Sequence, residues 1–114
     1  MINNKKTKME VILKTEELCQ KIKSETINCW SSLYNQNNLN VYSSIGKKYI
    51  KVLIEENSNR RVWGFINLEN INFTRGDILF ASSYNKPALN KSRGNLFEGY
   101  EINQNRINGP DYLK

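Results

Sequence analysis

Histidine is missing from this 114-residue sequence, and cysteine and proline occur only twice each. Without histidine the chain has no imidazole general base, no Ser-His-Asp triad, no Cys-His dyad and none of the commonest metal ligand. Two cysteines are too few for a zinc site built from thiolates. We therefore expect a binding protein rather than an enzyme, with no metal site and no cofactor.

Long apolar runs are missing as well. No stretch of about 18 apolar residues exists, so the sequence predicts no membrane span. The charged residues 1–10 are not followed by the apolar segment of a secretory signal. We expect a cytoplasmic protein with a single domain over residues 1–114 and no contact with a membrane. With 39% hydrophobic residues its core is thin, so an oligomer would add stability.

Asn, Ile and Lys are in excess, with 18, 12 and 12 residues. A genome rich in A and T favours the codons of these residues, and we take that as the main cause. This bias does not explain the five arginines, which are Arg60, Arg61, Arg75, Arg93 and Arg106. The net charge of +6 and the forked guanidinium groups indicate either a basic protein that is simply soluble or one with an anionic partner: a nucleic acid, a nucleotide or an acidic protein surface.

One long helix is predicted over residues 7–35, after a flexible tail at 1–6. Thr7 and Glu10 have the spacing of a capping box, in which each side chain bonds the other residue's backbone N–H. Apolar and small residues then recur every three or four positions, as one helix face requires. The segment 9–34 would span nearly 40 Å at ~1.5 Å per residue. Part of its apolar face therefore either contacts a second copy of the chain or belongs to the chain's own core.

Two cysteines lie on this predicted helix. Cys19 and Cys29 are ten residues apart, so both face the same side but lie about 15 Å from each other. That separation rules out a disulfide between them. We interpret both as buried thiols that act as small hydrophobic residues.

The rest of the chain predicts an α+β fold, in which the helix packs on a three-stranded antiparallel meander within residues 47–81. Residues 49–55 and 61–67 are strand-like runs joined by a short polar turn, as in a β-hairpin. A third strand at 78–81 follows a Gly-Asp turn. Residues 82–114 are predicted to form a basic binding loop and a C-terminal tail.

The basic loop carries the candidate binding site. No acidic residue lies between Asp77 and Glu98, and Arg93 precedes a glycine that allows close approach of the backbone to a phosphate. Recognition of a base requires flat rings and polar groups. The segment offers these groups as Phe80, Tyr84, Asn85, Asn90 and Asn95. The alternative is that Phe80 belongs to the core, that Tyr84 packs the loop and that the asparagines reflect composition.

A sequence pattern in this region resembles a family of small phage proteins. Residues 81–88 read Ala-Ser-Ser-Tyr-Asn-Lys-Pro-Ala, and residues 93–97 read Arg-Gly-Asn-Leu-Phe. A Gly-Asp pair opens the preceding strand, as in that family. The pattern also includes Lys-Tyr before an apolar strand and a closing Tyr-apolar-base triplet, here at 48–52 and 112–114. One spacing departs from the pattern, because four residues separate Pro-Ala from Arg-Gly-Asn where three are expected.

More narrowly, the sequence is similar to the first type of phage anti-defence protein against the Thoeris system. Such proteins are sponges: they bind the cyclic ADP-ribose signal made by bacterial TIR enzymes and hold it without cleaving it. Their sites lie at a subunit interface and use an aromatic residue, an Asn and arginines. The resemblance implies a homo-oligomer in the cytoplasm of an infected bacterium. It implies a ligand site at Phe80, Asn90 and Arg93, joined by Arg60 or Arg106.

Two other functions stay open from the sequence. A nucleic-acid-binding phage accessory protein would use the same basic residues, with an affinity that falls as salt rises. An inhibitor of host machinery, like an anti-CRISPR protein, would bind a protein and no small ligand. We place sequestration of a small nucleotide first, with nucleic acid as the second choice.

Overall fold

The chain folds into one long helix and an antiparallel sheet, which confirms the predicted α+β fold. The computed structural model describes residues 7–102 and 109–110; the expected tail at 1–6, Arg106 and the triplet at 112–114 lie outside the described residues. The helix α1 spans Lys8–Cys29. The main sheet has the order β1-β2-β3-β4, with strands at Leu39–Ile45, Tyr49–Glu56, Asn59–Asn67 and Ile78–Leu79. A separate hairpin consists of β5 and β6, at Ala81–Ser83 and Lys86–Pro87.

The capping box at the start of α1 is confirmed. The Thr7 backbone N–H donates to a Glu10 carboxylate oxygen at 3.1 Å, and the Glu10 N–H donates to the Thr7 hydroxyl at 3.1 Å. The buried face of α1 includes two threonines, Thr15 and Thr26, whose hydroxyls donate to the carbonyls four residues earlier at 2.8 and 2.7 Å. These bonds let polar side chains occupy an apolar face, because both hydroxyls have a partner there.

The helix is shorter than the sequence predicted. It ends at Cys29, and the Trp30 N–H closes it by donating to the Thr26 carbonyl at 2.9 Å, while Trp30 itself leaves helical geometry at φ −130°. Asn35 and Asn38 then form side-chain hydrogen bonds to the backbone of a turn, which competes with further helix. The prediction that Cys29 is buried is therefore wrong: Cys29 is exposed at the last helical position, whereas Cys19 is buried as expected.

The sheet has four strands rather than three, and it begins before residue 47. The additional strand β1 pairs with β2 along its whole length, so that Val41 lies opposite Ile54 and Ile45 opposite Ile50. Only Leu39 and Val41 of β1 are buried, which is why its sequence lacks a strong alternating pattern. The predicted third strand at 78–81 is also divided, because β4 ends at Leu79 and β5 starts a separate hairpin.

The two faces of the sheet have different roles. On one face Ile50 pairs with Ile66 and Ile66 with Ile78, and these residues share one core with α1. On the opposite face Lys51 pairs with Phe65 and Phe65 with Leu79. Because side chains alternate along a strand, the face that carries Lys51 points away from the helix. The β5–β6 hairpin lies on that second face, where Asn85 at its tip contacts Lys51.

The segment that follows the hairpin is part of the sheet edge rather than a free loop. The Arg93 N–H donates to the Ile78 carbonyl at 2.7 Å, and the Ile78 N–H donates to the Gly94 carbonyl at 2.9 Å. A further isolated bridge joins Asp77 to Asn95. Residues 93–95 therefore cover the outer edge of the short strand β4, which removes unpaired backbone groups from that edge.

Candidate functional site

The β5–β6 hairpin holds the predicted site residues at its two ends. Its base is closed by the Ala88 N–H, which donates to the Phe80 carbonyl at 2.6 Å. The Ser82 hydroxyl donates across the hairpin to the Lys86 carbonyl at 3.0 Å. Tyr84 and Asn85 form the tip. Phe80 and Tyr84 are therefore held at opposite ends of one short hairpin rather than side by side.

At the base, Phe80, Asn90 and Arg93 come together, and we call these three residues the base cluster. The Arg93 guanidinium carbon lies 4.9 Å from the centroid of the Phe80 ring, within the range of a cation–π contact. Its Nη2 donates to the Asn90 Oδ1 at 3.3 Å, and its Nε donates to the Lys91 carbonyl at 3.2 Å. Phe80 and Arg93 are half-buried, and Asn90 is exposed. The structure thus brings together the three residues that the resemblance indicated.

The Arg-Gly-Asn sequence has a local structural reason for each residue. Arg93 is held by its backbone in the sheet edge, which directs its side chain over Phe80. Gly94 has φ +143°, and a Cβ there would lie 2.7 Å from the Tyr100 ring, so a side chain would not fit. The close approach that the sequence assigned to a phosphate is made here by an aromatic ring of the chain itself.

Asn95, another predicted ligand-binding residue, does not join the base cluster. Only 7% of it is exposed, and its side-chain nitrogen donates to the Arg75 carbonyl at 3.1 Å and to the Asp77 carboxylate at 2.9 Å. Its side-chain oxygen accepts the Phe97 N–H at 2.8 Å. The amide thus links two segments of the chain, 75–77 and 95–97, so its polar atoms support the fold.

At the tip of the hairpin, Tyr84, Asn85 and Lys51 form a second group, which we call the tip cluster. The Lys51 ammonium lies 4.3 Å from the Tyr84 ring centroid and donates to the Asn85 Oδ1 at 2.8 Å. Tyr84 remains 47% exposed. Sequence reasoning did not select Lys51. A signal was present, because Lys51 stands between the buried Ile50 and Val52 and therefore points to the opposite face.

Arg60, another predicted arginine, does not join either cluster. Arg60 is exposed near the turn between β2 and β3, where its Nε lies 3.4 Å from a Glu55 carboxylate oxygen. It is five residues along β3 from Phe65, the residue that pairs with β4, which corresponds to about 16 Å of extended chain. Arg106 lies outside the described residues.

Two described groups with shifted pKa values, Cys19 and Glu69, lie outside both clusters. Burial, assisted by the nearby Glu16 charge, raises the pKa of the Cys19 thiol to about 12, so this cysteine stays protonated. A hydrogen bond from Lys8 is the largest cause that holds the pKa of Glu69 below its ordinary value; desolvation opposes it, and Arg75 lowers the pKa further. Within the described ranges, no group of three His, Cys, Asp or Glu residues is placed to hold a metal ion. No helix in the described part of the chain has both the length and the apolar character needed to cross a membrane.

Comparison with known proteins provides a family but no function. No curated protein and no solved structure matches the sequence significantly. One family model matches residues 2–108, which is nearly the whole chain. The chain therefore belongs to the family of unknown function DUF7717.

Proposed function

We propose that this protein binds and sequesters a nucleotide signal of the cyclic ADP-ribose type, as a phage anti-defence protein does, without cleaving it. The observation that carries this proposal is the base cluster, which combines a guanidinium, an amide and an aromatic ring at one place. A nucleotide presents pyrophosphate, ribose hydroxyls and a flat base, and each of these groups has a partner of matching chemistry in the cluster.

The contact with Phe80 and the hydrogen bonds to Asn90 and the Lys91 carbonyl hold the Arg93 guanidinium in place. A guanidinium is planar and carries five N–H donors in a rigid fork, which suits phosphate oxygens better than a mobile ammonium does. The Asn90 side-chain oxygen already accepts hydrogen bonds from Arg93 and the Lys91 backbone, so its NH₂ group is directed to a ligand as a donor. The base would stack on the Phe80 and Arg93 surface.

Binding without turnover is the form of this activity that the residues favour. The first acidic residue before the base cluster in sequence is Asp77. Both of its carboxylate oxygens accept hydrogen bonds, one from the Asn95 side chain and one from the Thr74 N–H. On the C-terminal side no acidic residue occurs before Glu98. With no histidine in the chain, a positioned general base is not part of this proposal.

A homo-oligomer formed through α1 is part of the proposal. Met9 and Leu13 are one helical turn apart on α1 and are 61% and 57% exposed. Two exposed apolar side chains at this spacing give α1 an outer apolar surface that a second copy would bury. Light scattering on the purified protein measures the subunit number, and a monomer would contradict this part of the proposal.

Isothermal calorimetry with isomers of cyclic ADP-ribose tests the proposal. We expect binding by one isomer and recovery of the ligand uncleaved when the protein is denatured. Arg93→Gln removes the charge at the base cluster and should weaken binding at least tenfold. Arg60→Gln is the matched control, because it removes an exposed arginine that lies outside the cluster. Absence of heat with every isomer, a cleaved product, or equal effects of the two substitutions would refute sequestration at this cluster.

Mass spectrometry of small molecules released from the purified protein separates sequestration from the two other functions. A sponge releases a nucleotide of defined mass. An inhibitor that binds a host protein, or a module that binds nucleic acid, releases none. This measurement requires no assumption about which isomer is the ligand.

A further inference from the structure

A lysine-lined groove lies on the sheet face opposite the helix, between the β1–β2 turn and the tip of the β5–β6 hairpin. Its volume is about 290 Å³, at the lower end of the range for small-ligand sites. We call it the lysine groove. Its lining includes Lys47, Lys48, Tyr49, Lys51 and Asn85. None of these residues belongs to the base cluster, so binding of a ligand in the lysine groove does not depend on the proposed function.

The charged residues that line the lysine groove are all positive. Its lining comes from residues 44–51, from Phe65 and from Asn85, and it includes three lysines and no acidic residue. Within the described residues, no carboxylate oxygen lies within 4.0 Å of the three lysine ammonium groups. Positive charge that is concentrated in a concave surface attracts a polyanion.

The backbone beneath the lysines is held in place. The Gly46 N–H donates to the Tyr49 carbonyl at 2.9 Å, and a Cβ on Gly46 would lie 2.9 Å from that same oxygen, so the tight turn requires glycine. The Lys48 carbonyl accepts the Leu68 and Glu69 N–H groups at 2.8 and 3.1 Å. The groove is therefore formed before any ligand binds, which reduces the entropic cost of binding.

We propose that the lysine groove binds single-stranded nucleic acid. The three lysines contact successive phosphates, and an unpaired base stacks on the exposed part of the Tyr84 ring. Lys51 already lies over this ring and orients it, and Asn85 holds the Lys51 ammonium at the groove wall. A single strand fits better than a duplex, because the bases of a duplex are stacked on each other and cannot reach an isolated aromatic ring.

Fluorescence anisotropy with a labelled oligothymidylate of about 12 nucleotides tests the proposal. Three contacted phosphates predict a slope of about −2 for log K against log salt with a single strand, so affinity falls about 20-fold between 50 and 200 mM salt. The variant Lys47→Ala/Lys48→Ala leaves one contact and should fall only about threefold over the same range. The matched control is Lys14→Ala/Lys21→Ala, which removes the same charge from α1 and should keep the wild-type slope.

Substitutions of Tyr84 at the hairpin tip test whether an unpaired base stacks on its ring. Tyr84→Leu should weaken binding of the oligonucleotide about fivefold or more, and Tyr84→Phe, which keeps the ring, should restore it. Equal slopes for the two double-lysine variants would mean that only overall charge matters, and would overturn the proposal. It would also be overturned if thymidine monophosphate or a duplex bound as tightly as the single strand, or if none of the three bound. Nucleotide calorimetry at the base cluster is unaffected by any of these results.

Discussion

Replacing Asn95 by alanine tests the finding that this residue supports the fold. The Asn95 amide donates to the Arg75 carbonyl and the Asp77 carboxylate, and it accepts the Phe97 N–H. It thus joins residues 75–77, directly before β4, to residues 95–97. Asn95→Ala removes all three hydrogen bonds at a site where only 7% of the residue is exposed.

The expected loss of stability follows from these contacts. A typical hydrogen bond contributes about 1 kcal/mol net, and one to a charged group about 1.5–3 kcal/mol. Two neutral bonds and one bond to the Asp77 carboxylate therefore sum to about 4 kcal/mol. Partial access of water to the new gap offsets part of this sum, so we expect the free energy of unfolding to fall by about 3 kcal/mol. At an m-value of about 1.5 kcal/mol/M, the urea midpoint then falls by about 2 M.

Urea unfolding monitored by the fluorescence of the buried Trp63 measures this change. Asn90→Ala is the matched control, because Asn90 is an exposed asparagine of the same region, and it should change stability by less than about 0.5 kcal/mol. If Asn95→Ala lost less than about 1 kcal/mol, or no more than Asn90→Ala, the structural role of Asn95 would be refuted. A ligand role for this amide would then regain support.

Two further predictions concern ionisable groups. A hydrogen bond from Tyr34, helped by Arg61, holds the pKa of Glu56 below its ordinary value. The stabilisation is therefore present above about pH 4.5 and is lost as pH falls through the lowered pKa. The difference in Tm between wild type and Glu56→Gln should be clear at pH 7 and shrink at about pH 3; a constant difference would contradict this. A thiol reagent should modify the exposed Cys29 quickly and the buried Cys19 only after unfolding; rapid reaction of both would contradict the burial of Cys19.

The candidate site was predictable in part. Phe80, Asn90 and Arg93 all lie within a segment of 14 residues, and the turn of the β5–β6 hairpin brings the outer two together. Tyr84 was selected on the same grounds but faces the other end of the hairpin. Lys51, its partner, is 33 residues away in sequence, and only the pairing of β2, β3 and β4 brings it to the hairpin tip. The residues near Tyr84 in sequence therefore do not predict that contact.

Several features of this protein were determined by the sequence alone. The absence of histidine excludes imidazole general bases and histidine metal ligands in any fold. The Thr7–Glu10 capping box formed as predicted because all of its atoms lie within one helical turn. The strands predicted at 49–55 and 61–67 were recognisable from their runs of β-branched and aromatic residues, and the structure has them at Tyr49–Glu56 and Asn59–Asn67. These features depend on neighbours a few residues apart, where local conformation decides the contacts.

The tertiary structure decided the rest. Strand β1 exists because β2 offers it a partner and α1 covers Leu39 and Val41, although no other residue of the strand is buried. Nothing in the local sequence distinguishes Asn95 from the other asparagines. It stabilises the fold because Asp77, its neighbour across the sheet edge, accepts a hydrogen bond from its side chain. Phe65 and Asn85 joined the three lysines in one groove only when the strands paired. Each of these outcomes is a long-range contact, whose free energy depends on what the rest of the chain places beside the residue.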